Sequence, residues 1–176
     1  MVWEITAEEL LARYADGERD FRGIELIQSE GVPADSSIDL EGAILRDINL
    51  RGAYLRNGCL IEADLTGADL FGASLEMARL DRAIIRDASL YSANLSWCDL
   101  TKADLRGTNL DYINARAAMF RGAEFGYGFE FAILAHANFQ DAATWNSVIC
   151  RGGNLIWNTT MPDGTIVVGP QYGDGR

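Results

Sequence analysis

The sequence predicts an all-β solenoid in which the chain turns a corner once every five residues. Every fifth residue from Leu40 to Phe125 is apolar, and fourteen of these eighteen residues are leucine. The residue two places before each of them is also small or apolar, and it is alanine in twelve cases. This period fits neither the helical turn of about 3.6 residues nor the alternation of a plain strand. A repeated corner accounts for it.

The two apolar positions of each unit predict a filled tube. Leucine is expected at the centre and alanine beside the wall, and burying each leucine contributes roughly 1.5–3 kcal/mol. An aspartate or asparagine before the leucine, such as Asp64 or Asp104, can accept hydrogen bonds from nearby backbone amides at a corner. Glycines such as Gly67 and Gly107 occupy a position where a turn requires positive φ.

The first residues predict a short helix over 7–15. Thr6 and Glu9 have the spacing of a capping box, and Gly17 can end the helix in a left-handed conformation. A helix here is expected to cover the open first coil, although it could also dock a partner. Phe21 and Leu26 are five apart and indicate a separated first piece of the repeat.

Residues 27–38 interrupt the period and predict a loop, either a plain surface insertion or a recognition loop. The sequence therefore divides into an N-terminal helix cap with its insertion loop (1–35), a regular β-helix (36–140) and a C-terminal cap and tail (141–176). Near Gly126–Glu130 the frame slips by one, which predicts a local bulge or a recognition kink. Met161–Gly164 contains Pro-Asp-Gly between apolar runs, which predicts a hairpin that closes the far end.

Composition and charge exclude several function classes. The net charge is −11, which argues against direct nucleic-acid binding because phosphate contacts need lysine and arginine. The single histidine, His136, falls on an outward position, so a catalytic triad is not expected. No metal site, cofactor or enzymatic activity is predicted.

The cysteines and the N-terminus predict a cytoplasmic protein that does not enter a membrane. Three cysteines cannot all pair, and reduced thiols indicate a reducing compartment. Cys98 falls on an inward position, whereas Cys59 is expected at or near the surface. The acidic start lacks the pattern of a secretory signal. Caps at both ends favour a monomer.

Exposed aromatic side chains form the candidate partner-binding surface. Residues twenty apart are expected to stack on adjacent coils, which aligns Phe71 with Tyr91 and places Tyr112 beside the end of that column. On the next face, Met77 and Trp97 are neighbours. Such a cluster can mark a protein-binding site, or the rings can simply stack and stiffen the sheet.

Tandem units such as Ala63–Gly67, Ala68–Gly72 and Ala103–Gly107 resemble the pentapeptide-repeat family over about residues 36–140. The resemblance implies a right-handed quadrilateral parallel β-helix with four units per coil. The chain is similar to short cyanobacterial members of this family.

The sequence thus predicts a non-enzymatic β-helical scaffold or protein–protein interaction module with an unknown protein partner. The resemblance implies two alternatives: an acidic DNA mimic that binds gyrase or topoisomerase, and a regulator of cyanobacterial differentiation or stress response. Arg46, Arg86 and Arg106 fall in one column and dilute the negative field that a DNA mimic requires.

Overall fold

The computed structural model describes residues 3–29, 31, 38–126, 128–144, 149–150 and 152–172. Within these residues the chain forms one α-helix and eight short strands. In chain order they are β1 (Trp3–Thr6), α1 (Ala7–Ala15), β2 (Ile24–Ile27), β3 (Asp104–Leu105), β4 (Glu124–Phe125), β5 (Leu155–Ile156), β6 (Thr159–Thr160), β7 (Ile166–Val167) and β8 (Gln171–Tyr172). Between β2 and β5 most of the pairing consists of single parallel bridges.

The bridges define coils of twenty residues. Asp64 pairs with Ile84, and Ile84 pairs in turn with Asp104, each twenty positions further along the chain. Every bridge from the one at Asp39 to the one that ends at Met119 has this spacing. Four five-residue units therefore complete one coil, and adjacent coils lie about 4.8 Å apart. The structure is a parallel β-helix with four sides.

The interior is filled by the apolar positions of the repeat. Every fifth residue from Leu40 to Phe120 is at most 2% exposed. The residue two places before is buried from Ile48 to Ala123. The inward positions predicted from the period are confirmed except near the two ends of the repeat, where Ile38, Ala43 and Phe125 are half-buried. The small Ala115, where leucine is usual, lies beside the large Ile113, and both are fully buried.

Each corner is a β-turn with a left-handed residue at its third position. The Ala73 amide donates to the Leu70 carbonyl at 3.0 Å, and Gly72 between them has φ of 63°. Every fifth residue from Gly42 to Gly122 has positive φ, whether or not it is glycine. The carboxylate before the leucine supports the turn, as predicted: Asp69 Oδ1 accepts from the Phe71 amide at 3.1 Å.

The N-terminal residues extend this ladder. β1 pairs in parallel with β2, and Glu25 of β2 pairs with Tyr54 of the next coil. The helix lies where the sequence predicts it, and the Thr6 hydroxyl accepts from the Glu9 amide at 3.2 Å. Leu10 is fully buried in the core. Of the predicted insertion, residues 30 and 32–37 lie outside the described residues.

The C-terminal coils depart from the twenty-residue length. Bridges join Asn114 to Ile133, a spacing of nineteen, and Ile133 to Leu155, a spacing of twenty-two. The shorter coil agrees with the predicted slip of one residue. The parallel ladder continues to Thr160, and β6 and β7 pair antiparallel around the Pro-Asp-Gly turn. The ladder thus extends beyond 36–140 at both ends.

Phenylalanine replaces leucine in the core of these coils. Four rings pack together with centroid separations between 4.8 and 6.1 Å: Phe120, Phe125, Phe129 and Phe139. The Phe120 and Phe139 rings stack at 4.8 Å. In these coils aromatic rings therefore fill the tube where leucine side chains fill the regular coils.

The surface position expected for Cys59 is wrong. Cys59 is 4% exposed, because the side chain of Glu41 on the preceding coil lies over it, with its carboxylate 3.8 Å from the Cys59 sulfur. An outward position in the repeat is therefore not necessarily a solvated one, since a long side chain on the neighbouring coil can cover it.

Candidate interaction surface

The five predicted surface residues occupy two neighbouring corners of the helix. Phe71, Tyr91 and Tyr112 lie along one corner, and Met77 and Trp97 lie along the next. Four of them are more than one third exposed, and Trp97 reaches 57%. Tyr91 is half-buried between its neighbours. The twenty-residue coil length therefore brings together the side chains that the sequence places in columns.

The first corner carries a continuous aromatic ladder of Phe71, Tyr91, Tyr112 and Phe131. The ring centroids of Phe71 and Tyr91 are 5.5 Å apart with planes 5° from parallel. The next two separations are 5.1 Å and 5.0 Å. The Arg51 guanidinium lies 4.2 Å from the Phe71 ring centroid, which closes the N-terminal end of the ladder with a cation–π contact.

Sequence reasoning missed Phe131 because the frame slips just before it. Tyr112 and Phe131 both stand at the third position of their turns, with φ of 59° and 52°. The nineteen-residue coil brings them into register. Gly153 supports the Phe131 ring from the next coil, since a Cβ at that glycine would lie 2.8 Å from a ring carbon. Counting nineteen instead of twenty after the slip would have found this residue.

A second column of Met77, Trp97, His136 and Trp157 runs along the neighbouring corner. Met77 is 50% exposed, and it lies one coil before Trp97. Ala117 separates Trp97 from His136 on the intervening coil. The His136 ring then lies 5.6 Å from that of Trp157. An exposed histidine whose ring lies tilted against a tryptophan does not resemble a catalytic base held in a cleft.

The strip of outward strand positions between the two columns carries no charged residue, although Glu76 and Arg116 lie beside it, one residue before the positions of the second column. Its outward positions on successive coils are Tyr54, Ser74, Asn94, Asn114, Ile133 and Leu155. Ser74, Asn94 and Asn114 are half-buried and short, whereas the aromatic residues on both sides are larger and mostly exposed. We call the ladder, the strip and the second column together the aromatic face.

The corner preceding the ladder, in contrast, is dominated by ion pairs between coils. Arg46 Nε lies 2.6 Å from Asp64 Oδ2, and Arg86 Nε lies 2.5 Å from Asp104 Oδ2. Partial burial alone would raise the pKa of Asp64, but hydrogen bonds from Thr66 and Arg46 outweigh it and hold that pKa below its ordinary value. Surface pairs of this kind contribute at most about 1 kcal/mol each.

Among the described residues, one group places three metal-capable ligand atoms within 4.8 Å of one another: Asp39, Glu41 and Cys59. The Asp39 carboxylate already accepts from the Glu41 amide at 2.9 Å, in the same turn that recurs along the helix. The carboxylates are exposed and only the thiol is buried. This arrangement follows from the repeat and its covering side chain.

Comparison with known proteins identifies the family. The family model described as pentapeptide repeats matches eight copies over residues 36–70, 63–101 and 98–127. The chain belongs to the pentapeptide-repeat family. Its coil is therefore a right-handed β-helix, as the resemblance implied.

Solved structures agree with this assignment. A pentapeptide repeat protein from the thylakoid lumen of Arabidopsis thaliana is 25% identical, with a TM-score of 0.59 over 72% of this chain and 85% of that one. Rfr23 from the cyanobacterium Cyanothece 51142 is 26% identical, with a TM-score of 0.53 over 68% of this chain and 95% of its own.

QnrB1, a plasmid-mediated fluoroquinolone resistance protein, is 20% identical, with a TM-score of 0.51 over 80% of this chain and 62% of QnrB1. At that identity the likeness concerns the fold alone. No curated protein sequence matches the chain. Across the part of the chain that the structure describes, no helix is both long and apolar enough to cross a membrane.

Proposed function

We propose that this pentapeptide-repeat protein is a non-enzymatic module that binds another protein through its aromatic face. The observation that carries the proposal is the continuous aromatic ladder on one corner together with the exposed Met77 and Trp97 on the next, with a strip of uncharged strand positions between them. Aromatic residues and methionine are enriched at protein interfaces, and contiguous exposed apolar surface marks interaction sites. No cofactor or metal is required for this activity.

Three of the apolar residues of the aromatic face occupy left-handed turn positions. Met77, Trp97 and Tyr112 all occupy turn positions with φ between 59° and 65°. Glycine adopts this conformation freely, whereas other residues incur a cost of roughly 1–2 kcal/mol. Gly72 and Gly122 show that the same turn position accommodates glycine. Polar residues such as Glu62 and Lys102 occupy the same turn position, so the proposal rests on the exposed apolar surface at these turns and not on their strain.

A triple variant tests the proposal. Phe71→Ser, Tyr91→Ser and Trp97→Ser together remove the centre of the aromatic face. The matched control is Ile44→Ser, Ile84→Ser and Met119→Ser, which removes three exposed apolar side chains from other faces. Wild type and both variants serve as bait in affinity capture from lysate, followed by mass spectrometry, and circular dichroism verifies that each variant is folded.

We expect the aromatic variant to lose a partner that the wild type and the control variant both retain. Equal retention by all three proteins would refute the aromatic face as the binding surface. Sedimentation of the same samples measures oligomeric state, for which we propose a monomer. The free thiols of Cys59, Cys98 and Cys150 are consistent with our proposal of a cytoplasmic, reducing location.

The DNA-mimic alternative is disfavoured by the charge arrangement. Arg46 and Arg86 each neutralise a carboxylate on the next coil, and Arg106 pairs with both Asp104 and Glu124. A duplex mimic needs an unbroken row of unpaired negative charge. A gyrase supercoiling assay separates the two proposals, since inhibition at micromolar protein would support mimicry. A regulatory role in differentiation or stress response would act through the same protein binding.

A further inference from the structure

The strip of the aromatic face carries two asparagine side chains, Asn94 and Asn114. In each of them the oxygen already accepts hydrogen bonds within its own turn, whereas the NH₂ group is available as a donor. Asn94 Oδ1 accepts from the Ser96 amide at 3.1 Å and from the Ser96 hydroxyl at 2.7 Å. Asn114 Oδ1 accepts from the Arg116 amide at 3.3 Å. Because a backbone N–H must donate to oxygen, these bonds fix the amide orientation. Each side-chain NH₂ group is left to donate outward, and neither has a partner among the described residues.

The walls of the face add further donors. The Trp97 indole N–H can only donate, and the hydroxyls of Tyr91 and Tyr112 can donate or accept. None of these three polar groups bonds to another described residue. The centre of the face therefore combines aromatic surface with donors that are free for a ligand. The charged residues nearest to this centre are Asp111 beside Tyr112 and, between the strip and the second column, Glu76 and Arg116.

The dimensions favour an extended peptide over a globular surface. Two corners are separated by one strand segment of three residues, or about 10 Å. The ladder from Phe71 to Phe131 covers three ring separations of 5.0 to 5.5 Å. The resulting trough measures about 10 Å by 15 Å, an area of about 150 Å², which is well below the roughly 800 Å² per partner that a standard protein interface buries.

A proline-rich segment has the complementary chemistry. Proline has no backbone N–H, so such a segment offers carbonyl acceptors without donors that the face would leave unpaired. In the polyproline II conformation it rises about 3.1 Å per residue, so about five residues match the trough. Its rings pack against aromatic side chains, and its low conformational entropy favours binding to a small surface.

We propose that the aromatic face binds a proline-rich, uncharged segment of its partner in the polyproline II conformation, between the aromatic ladder and the second column. The proposal rests on the proposed function and specifies the chemistry of its ligand. An ordinary β-strand peptide would present amide donors to Asn94 and Asn114, whose side-chain acceptors are already used. Beside the strip a strongly charged peptide would meet both an acid and a base, Glu76 and Arg116, so neither sign of charge is favoured.

Calorimetric titration of the full chain tests the proposal directly. The probe is a ten-residue proline peptide with acetyl and amide ends, and the control is a Gly-Ser peptide of the same length. We expect saturable binding of the proline peptide alone. Tyr112→Ala should weaken it about tenfold or more, because it removes one aromatic wall and one donor.

Charge-matched variants test whether binding depends on the two outward amide donors or on nonspecific attraction to exposed apolar surface. Asn94→Asp with Asn114→Asp preserves the acceptors of both turns but converts the outward donors into acceptors. Asn49→Asp with Asn109→Asp adds the same charge to the neighbouring face, where each residue makes the same turn bond, at 3.2 and 3.0 Å. We expect about a tenfold loss of affinity for the first pair and no loss for the second, with melting temperatures confirming both folds.

Each outcome decides between proposals. Absence of saturable proline-peptide binding, or equal affinity for the two double variants, overturns this inference. If the triple aromatic variant still loses its captured partner in that case, the proposed function stands and only the ligand chemistry is wrong. If the wild type sediments as a dimer that Tyr112→Ala dissociates, the face is an interface between copies and the proline-rich ligand is likewise excluded.

Discussion

The regular coils and the C-terminal coils satisfy their backbone groups in different ways. From Leu40 to Phe120, parallel ladders and identical turns pair the backbone coil after coil. Buried polar side chains there play a small part: Cys98 and Thr108 take the place of alanine, and each donates to a carbonyl twenty-three residues earlier. After the frame slips, a fully buried asparagine, Asn154, becomes central.

Asn154 makes bonds that the irregular coils do not make through the backbone. Its Oδ1 accepts from the Ala132 amide at 2.9 Å. Its Nδ2 donates to the carbonyls of Phe129 at 2.9 Å and Ile149 at 3.1 Å. Among the described residues, no buried side-chain nitrogen or oxygen lacks a partner. Coils of nineteen and twenty-two residues are therefore tolerated where hydrogen bonds from a polar side chain replace the backbone hydrogen bonds of the regular repeat.

The largest expected effect comes from placing a charge inside the regular coils. Leu70 is 1% exposed, so Leu70→Lys buries an unpaired ammonium and should cost about 4 kcal/mol or more. Each coil depends on its neighbours, so the loss should spread beyond one coil. Urea and thermal unfolding followed by circular dichroism measure it.

Thr101→Lys is the matched control for Leu70→Lys. Thr101 is half-buried at an outward corner, and its backbone amide keeps its bond to Asp99 Oδ1 in the variant. We expect a change within about 0.5 kcal/mol, as for most surface substitutions. Equal destabilisation by the two lysines would contradict the inward and outward assignment of the repeat.

Asn154→Ala tests the C-terminal coils and should have the next largest effect. The change leaves two carbonyls and one amide without a partner in a buried site, at a cost of about 3 kcal/mol. Asn138→Ala is the control. Among the described residues the Asn138 side chain makes a single bond, which its Oδ1 accepts from the half-buried Gln140 amide at 2.9 Å, and the loss of that bond should cost about 1 kcal/mol.

Hydrogen exchange locates the loss. We expect Asn154→Ala to increase exchange from Phe129 onward while the coils from Leu40 to Leu110 stay protected, because irregular coils open as a separate unit. Uniform loss of protection along the whole helix would show instead that the two regions unfold as one.

The same division explains how far the sequence could predict the molecule. A constant period makes each residue's environment recur twenty positions later. The sequence therefore predicts the buried position at every fifth residue from Leu40, the corners supported by aspartate and the columns of stacked side chains. The pairing of β1 with β2 could not be predicted in this way, because β1 lies outside the repeat. Phe131 comes into register with Tyr112 only because the coil between them is one residue shorter than the others. Cys59 was misplaced because its burial depends on the length of a side chain on another coil, which periodicity does not encode.

Cysteine alkylation compares local opening in the two regions. Cys98 is fully buried in the regular coils, and burial raises its pKa to about 12. Cys150 lies half-buried beside the irregular coils, and burial raises its pKa as well. Since the thiolate is the reactive form and must be reached by the reagent, we expect iodoacetamide to label Cys150 at least about tenfold faster.

Peptide mass spectrometry at mildly alkaline pH gives both labelling rates from one sample. Labelling in denaturant provides the control, because the two thiols should then react at similar rates. Equal rates in the folded protein would mean that the regular coils open as readily as the C-terminal ones, which would remove the distinction.

Lowering the pH should destabilise the regular coils before the C-terminal coils. This change in stability is the smallest of the expected effects. Asp64 bonds Thr66 and Arg46 as a carboxylate, and its folded-state pKa is lowered from the ordinary 3.8. A lowered folded pKa means that the stabilisation is present above the unfolded pKa and is lost as pH falls through the folded one. The stability advantage of wild type over Asp64→Asn should therefore shrink as pH falls below about 4.

In the C-terminal coils the buried side chains that bond the backbone, Asn154 and Thr159, are uncharged, so their hydrogen bonds persist in acid. Lowering the pH should therefore reduce hydrogen-exchange protection around Asp64 by a larger factor than around Asn154. Arg46→Met tests the cause, since removing the guanidinium raises the folded pKa of Asp64 and should make the acid loss shallower. A wild-type advantage over Asp64→Asn that is constant with pH would show that the bond to Arg46 contributes no charge-dependent stability to the regular coils.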